Sequence, residues 1–564
     1  MRPRTYRLLG GLMALALFMA CNSSSQGGSP AASNAQITLV AQFEKRPQTP
    51  TGLGAVTIRP ARYCWAEVRE AGSNSLMASG YLGSDGTGSV TVPRGMTVYT
   101  QVYTQYQVPS ADPNSFFVRG SVKNGPLPAG PISISAFNAI SNWNVTSSNI
   151  KADSDGTLTV TALEDALRLA GAFNIADQAV TFAAAIRDMD GSTTLRLPNL
   201  HTFWTTSTSP VDQARTYPEL TAGPGNTYLV TDSNRAIFSH GVFGNGSGVA
   251  NTESDEWDDG VLQETFAHLL FANYSYKADG SNFLSLLRRD NDNVSVDRDF
   301  QSESTVAFVA GFADFLAGAV RNDSRLLDSW VDAGGVSRVA VFDLTDHGFV
   351  LSANKGEFTR GSIAVSLWGL WKNTLGGTPA GLGTLWAAVR SPSALANGTG
   401  EYEQATLGCY PSYLLGVQSR VTGATWSTAL SELALEAIPN PTTAYFAGTA
   451  LWETRTLPLS ATGTLQTYLP STNLYYDRNQ SQAWRFIHGG TGTRTITMTP
   501  TGGQDFYLEL LGPGGWVAGS FSSSLTGQPR TLTLPSLPAG TYAARVRAGA
   551  TTLDGTFGYT LSVN

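Results

Sequence analysis

The sequence predicts a multidomain α+β protein: an N-terminal antiparallel β-sandwich, a central mostly α domain and a C-terminal β-sandwich. Three observations carry this expectation. Apolar residues alternate with period two over residues 36–160, recur at helical spacing over 161–441, and return to alternation over 457–564. The 564 residues exceed what one core needs, at about 150 residues per domain. Charge is sparse, at 14% of residues against about 25% in an average soluble domain. Lys+Arg number 36 and Asp+Glu 43, a net charge of −7, so nothing favours a phosphate backbone and no nucleic-acid partner is expected.

In chain order the first element is an export signal over residues 1–20. Arg2, Arg4 and Arg7 precede an apolar run, Leu8 to Ala20, that is too short to span a bilayer. The run ends Leu17-Phe18-Met19-Ala20-Cys21, which resembles the bacterial lipobox. That resemblance implies a lipidated Cys21, contact with a membrane through the N-terminal lipid, and an extracytoplasmic place in a bacterial cell envelope. The alternative is an ordinary cleaved signal and a secreted protein. Residues 21–35, rich in Ser, Gly and Ala, read as a flexible tether. Of three cysteines, Cys64 and Cys409 remain; two buried thiols and one long-range disulfide are both open readings. No Cys-x-x-Cys occurs, which excludes a thiolate zinc site.

Within 36–160 the strand candidates are Ile37–Phe43, Tyr63–Val68, Ser89–Pro93 and Val98–Tyr103, with a turn at Ser84-Asp-Gly-Thr-Gly88. Their order resembles the transthyretin-like or carboxypeptidase-regulatory-like β module, which implies spacing or binding without catalysis. Within 457–564 the candidates are Ala483–Ile487, Thr495–Met498, Phe506–Leu511, Thr531–Leu534, Tyr542–Val546 and Tyr559–Val563. Asp505-Phe-Tyr-Leu-Glu-Leu-Leu-Gly-Pro-Gly-Gly515 and Leu537-Pro-Ala-Gly-Thr-Tyr542 resemble the pre-peptidase C-terminal domain of secreted bacterial peptidases. Members of that family sometimes hold calcium through acids near the first strands. Here the local acids are sparse, Asp477 and Asp505 among them, so this domain is not expected to bind it.

The middle block places helices at 162–187, 260–274, 304–320, 362–371, 382–389 and 426–437. Its most informative stretch is Asp255-Glu-Trp-Asp-Asp-Gly-Val-Leu-Gln-Glu-Thr-Phe-Ala-His268. It resembles the His-Glu-x-x-His helix of zinc metallopeptidases, in which residues i and i+4 hold the metal on one helix face and the Glu activates its water. Gln263 and Ala267 stand at the two ligand positions and only Glu264 matches. A second helix, Ser302 to Phe315, resembles the gluzincin segment that carries the third ligand, with Ala310 where that Glu would be. A third, Gly356 to Leu370, resembles the helix that follows, with Gly369 replacing an Asp. The resemblance implies a zincin-like central domain that keeps packing residues such as Leu262, Phe266, Phe312, Phe315 and Leu367 and has lost its metal ligands. Neither catalysis nor a zinc site is expected from it.

Two sharper metal readings accompany this. Glu264 and His268, also i and i+4, could share a metal with His240, Glu303 or His347; an ordinary helix-face pair is the plainer reading. The acidic loop with Asp290, Asp292, Asp297 and Asp299 could take calcium but lacks the ordered EF-hand spacing. Asp153-Ser-Asp-Gly156 reads as a turn. The acids Glu253, Glu256, Asp258 and Asp259 could make a glycosidase pair, although adjacent loop acids mostly serve solvation. Trp65, Trp143, Trp204 and Trp257 could line a groove or fill core. Nucleophile elbow, phosphate loop and dinucleotide fingerprint are all missing. The functional expectation is therefore an envelope-anchored pseudo-metallopeptidase that binds polypeptide or glycan, with no cofactor expected, calcium possible and zinc not expected. Its rivals are a metal-dependent peptidase with a relocated site and a purely structural envelope component.

Overall fold

Alternation in the strand Asn34–Lys45 is unbroken, and every second side chain of it, Ala35, Ile37, Leu39, Ala41 and Phe43, is buried. The structure is a computed structural model that describes residues 33–110, 116–125, 134–164, 168–191, 199–204, 215–216, 235–238, 252–253, 255–274, 298–299, 301, 304–331, 337–389, 410–441, 453–455, 459–467, 481–512, 515–520, 527–548 and 555–564. The export signal, Cys21, most of the tether, Cys409 and Asp477 lie outside the described residues.

Asn34–Lys45 pairs antiparallel with Thr57–Pro60 and Thr87–Pro93 and parallel with Gly156–Ala162. The parallel pair departs from the all-antiparallel expectation. Between these two strands the chain lays down most of a second sheet, so no hairpin forces the direction of the returning strand. That second sheet runs Arg215–Thr216, Arg235–Phe238, Leu200–Trp204, Phe116–Asn124, Thr97–Pro109, Cys64–Glu70, Leu76–Tyr81. Ala66, Val68, Val98 and Val102 from its inner face close a common core with Ile37, Leu39 and Phe43.

The second sheet continues past residue 160. Leu200–Trp204 pairs parallel with Phe116–Asn124, Leu200 lying opposite Gly120. Residues of Phe116–Asn124 are buried on both faces, which requires cover on each side. The outer cover is helical: Tyr106, Val108, Phe117, Val118 and Val122 belong to the same core as the central helices. The first β block and the helical block thus share a sheet and a core.

Seven helices concern us: α1 (Leu169–Asp190), α2 (Asp259–Tyr274), α3 (Ser304–Arg321), α4 (Arg360–Gly369), α5 (Pro379–Val389), α6 (Tyr410–Gln418) and α7 (Gly423–Leu435). Helix α1 ends on Gly191 at φ 66, whose N–H returns to the Arg187 carbonyl. It is the described helix long and apolar enough to cross a membrane, and here it is mostly buried within the fold. It starts at Leu169, later than the periodicity implied, because Gly156–Ala162 is already a strand. The central block also contains a hairpin, Arg325–Val331 with Ser337–Asp343, that the helical reading missed. Its second arm carries the short apolar, β-branched run Val-Ala-Val-Phe, so a strand signal was present.

The C-terminal block consists of two sheets. One runs Glu453–Arg455, Ser481–His488, Gly540–Ala548, Phe506–Gly512, Gly515–Ser520; the other runs Leu459–Thr467, Gly555–Val563, Gly492–Pro500, Arg530–Leu537. Phe486, Ile496, Leu508, Tyr542, Val546 and Leu561 fill the space between them. Asp505, one of the sparse acids, is fully buried against the equally buried Arg530. Multiple β-sheets at both ends with helices between them match the coarse architecture read from the sequence.

Candidate functional site

The helix that carries Glu264 is fixed by its acidic lead-in, and these acids are not solvating loop residues as expected. Asp258 is fully buried and its carboxylate accepts from Ser329 N (2.6 Å), Ser329 Oγ (2.5 Å) and Gln48 Nε2 (2.6 Å). Asp259, in the first turn of α2 where a negative charge suits the helix dipole, pairs with Lys45 Nζ at 2.5 Å. Glu256 is buried and pairs with Arg168. A buried carboxylate persists only with such partners. These acids tie α2 to the first sheet, to α1 and to the hairpin.

One residue beyond Gln263 around the helix, Glu264 meets two arginines. Arg360, the first residue of α4, donates through Nη2 to Glu264 Oε1. The same guanidinium donates from Nε to Asp314 Oδ2 (2.6 Å) and from Nη2 to Asp314 Oδ1 (2.8 Å). Arg298 donates to Asp314 Oδ1 (3.0 Å) and Glu264 Oε2 (3.4 Å). Asp314 has no exposed surface, while 17% of the Glu264 side chain remains exposed. Burial pulls the Arg360 pKa down, but the charges and hydrogen bonds of Asp314 and Glu264 outweigh it, holding the guanidinium above the ordinary arginine value. The result is a neutral four-membered cluster joining α2, α3, α4 and the end of the acidic loop.

A divalent cation placed ~4 Å from either arginine would be repelled by about 8 kcal/mol at an effective dielectric of ~20. Each carboxylate attracts it by a similar amount, so the two arginines cancel the pull of Glu264 and Asp314. Both Glu264 oxygens already accept from a guanidinium, so neither is left free to take a proton from water.

The remaining positions are filled by packing. Gln263 is fully buried and donates to the Gln178 carbonyl (3.0 Å) and to Gln178 Oε1 (2.8 Å), which directs it toward α1. Ala267 and Ala310 are buried in the helical core. A side chain at Gly369 would meet Glu432 Oε2 at 2.6 Å, so a carboxylate from α7 already stands in that space. Helices α3 and α4 approach closely at Gly311, where an added Cβ would lie 2.7 Å from both the Arg360 carbonyl and Ile363 Cβ.

Of the other candidates, the described ones have partners away from Glu264. His268 lies on α2, but its side chain, His240 and Glu303 are outside the described residues. His347 Nδ1 sits 2.8 Å from Glu436 Oε1, an oxygen that Lys355 also approaches at 3.2 Å. Of the proposed calcium loop, Asp290, Asp292 and Asp297 are outside the described residues; Asp299 accepts Leu351 N at 2.8 Å. Among the described residues, no three His, Cys, Asp or Glu side chains form a group that could hold a metal ion. Trp204 and Trp257 are core and Trp143 is half-buried, donating to the Trp204 carbonyl at 3.0 Å; Trp65 stands on an outer sheet face.

Asp314, Arg298 and Arg360 were not singled out from the sequence. Asp314 had a signal, as the only charge in the otherwise apolar run Val306 to Val320, where a buried acid demands a cation. The two arginines gave none, since both sit outside periodic segments.

No protein-family model matches the chain, and no curated protein matches it. Among solved structures, the pre-peptidase C-terminal domain of a collagenase from Bacillus anthracis resembles 20% of this chain over 94% of its own length, with 15% identity and a TM-score of 0.16. PliG from Aeromonas hydrophila, a periplasmic inhibitor of g-type lysozyme, matches 20% of this chain over 97% of its own length, with 12% identity and a TM-score of 0.14. PliG from Salmonella Typhimurium gives 13% identity, the same shares and a TM-score of 0.13. Likenesses this slight assign neither fold nor function. The charge cluster around Glu264 is the ground for a functional reading.

Proposed function

We propose that this chain is an exported, lipid-anchored protein of a bacterial cell envelope whose central domain is a zincin-like framework without metal chemistry. It acts by binding polypeptide or glycan, with a transthyretin-like module before the central domain and a pre-peptidase C-terminal module after it. The observation that carries the catalytic half is the occupation of Glu264 by Arg360 and Arg298 beside buried Asp314. A carboxylate held by two guanidiniums activates no water, and a neutral cluster attracts no divalent ion.

The test is the full chain purified without chelator, assayed for bound metal by mass spectrometry and for cleavage of an unstructured protein with and without Zn²⁺. No stoichiometric metal, no cleavage and an unchanged melting temperature are expected. A metal bound at 100 times its Kd would add about 2.7 kcal/mol of stability. Stoichiometric zinc with chelator-sensitive cleavage refutes the reading in favour of a relocated peptidase site.

A further inference from the structure

The strands Cys64–Glu70, Leu76–Tyr81 and Thr97–Pro109, with Asn144–Thr146, turn one face to the core and the other outward. Their register assembles the outward face in cross-strand rows. One row reads Tyr81, Trp65, Tyr103, Asn144; the next reads Ser79, Glu67, Gln101, Thr146; the third sets Arg69 beside Tyr99. We propose that this face binds a neutral polysaccharide through its tyrosine and tryptophan rings and the polar groups between them.

Four features support this. Trp65, Tyr81, Tyr99 and Tyr103 keep partial exposure on one sheet face, with Trp65 and Tyr81 4.9 Å apart edge to face. The electron-rich face of an aromatic ring attracts the C–H face of a pyranose ring. The polar heads are already ordered: Tyr103 Oη donates to Gln101 Oε1 (2.9 Å) or Glu67 Oε2 (3.1 Å), Gln101 Nε2 to Asn144 Oδ1 (2.7 Å), and Trp65 Nε1 to Glu67 Oε1 (3.3 Å). Binding here loses little side-chain entropy.

The third feature is charge. Arg69 is neutralised by Glu67 at 2.7 Å, so the face suits an uncharged ligand, while the chain's net −7 repels polyanions. The fourth is shape. Beside the rows lies a hollow of about 500 Å³ lined by Arg69, Asn74, Tyr99, Gln101, Thr146 and Asn149, a size that accommodates small-molecule ligands. Amide side chains both donate and accept, as sugar hydroxyls do. A peptide would seek apolar anchor pockets, and this lining is polar.

The proposal rests on the binding half of the reading above and on no residue of the Glu264 cluster. The test is affinity electrophoresis of the full chain, and of a Tyr99→Ala/Gln101→Ala variant with the same melting temperature, through gels containing hydroxyethyl cellulose, glycol chitin or polygalacturonate. Retardation by a neutral polymer, weakened at least about tenfold in the variant (~1.4 kcal/mol), is the expected result. No retardation by either neutral polymer, retardation by polygalacturonate alone, or equal retardation of the variant overturns it. Zinc-dependent cleavage would refute the catalytic half of the earlier reading and leave this outcome untouched.

Discussion

Replacing Arg360 by Met tests the idea that Glu264 is locked into a structural cluster. Methionine keeps an unbranched stem but removes the bonds to Asp314 Oδ2 (2.6 Å) and Oδ1 (2.8 Å) and the contact with Glu264. Asp314, fully buried, is left to Arg298, whose side chain is more exposed than that of Arg360, 27% against 11%. Removing one partner of a buried ion pair costs ~3–5 kcal/mol. At ~2–4 °C per kcal/mol for a unit of roughly this size, the melting transition of the helical block should fall by about 6–20 °C. Differential scanning calorimetry of the full chain would read it, because separate blocks can unfold separately. An Asp314→Asn/Arg360→Met double variant should lose less than the sum of its singles, since the orphaned charge is then gone. A single variant within about 2 °C of the parent, or strict additivity in the double, would show that the carboxylates do not depend on Arg360 and would reopen Glu264 as an acid or base.

Three further outcomes follow from individual side chains. His201 is half-buried, with its ring against Ser121; desolvation first and the Lys123 charge second push its pKa from 6.5 to about 3. Between these values the unfolded chain binds the extra proton, so stability falls with falling pH by ~1.4 kcal/mol per unit, and a His201→Asn variant should show a shallower decline in melting temperature between pH 6.5 and 4.5. Cys64 is a free buried thiol whose pKa is raised by burial and by Asp177, so in a Cys409→Ser background it should resist alkylation at mildly alkaline pH until the chain unfolds; rapid native labelling would contradict its placement. Gly311→Ala should destabilise the protein by ~1–3 kcal/mol in thermal or urea melts through overpacking against Arg360 and Ile363, despite alanine's ~1 kcal/mol advantage within a helix; a stabilised variant would mean that α3 and α4 stand farther apart.

Period-two spacing placed most strands of both terminal blocks because each buries one face, while apolar residues at helical spacing placed six helices, of which α3 and α4 are buried all round. Phe116–Asn124 was missed as a strand for the complementary reason: buried on both faces, its residues show no alternation to detect. The sheet continuing from it into Leu200–Trp204 depends on a pairing 80 residues apart in sequence, which no local pattern reports. The acids before α2 were misread because adjacent Asp and Glu look solvated until Lys45, Gln48, Arg168 and Ser329 arrive from distant segments. Trp65 and Tyr81 were visible as aromatic residues, but only strand register sets them in one row.

Gln263, Ala267, Ala310 and the charge cluster bear on each other. Had Gln263, Ala267 and Ala310 merely failed to bind metal, Glu264 would face a polar void and Asp314 would be a buried charge without a partner, a state costing several kcal/mol. Instead Arg360 enters from the start of α4 and Arg298 from the loop, both joining Asp314 to Glu264. Gln263 is drawn toward Gln178, and Glu432 occupies the space beside Gly369. Histidines introduced at 263 and 267 would therefore not make a metal site: position 263 faces α1, position 267 is closed by packing, and two guanidiniums hold Glu264. The cluster makes charge balance the organising feature where these helices meet.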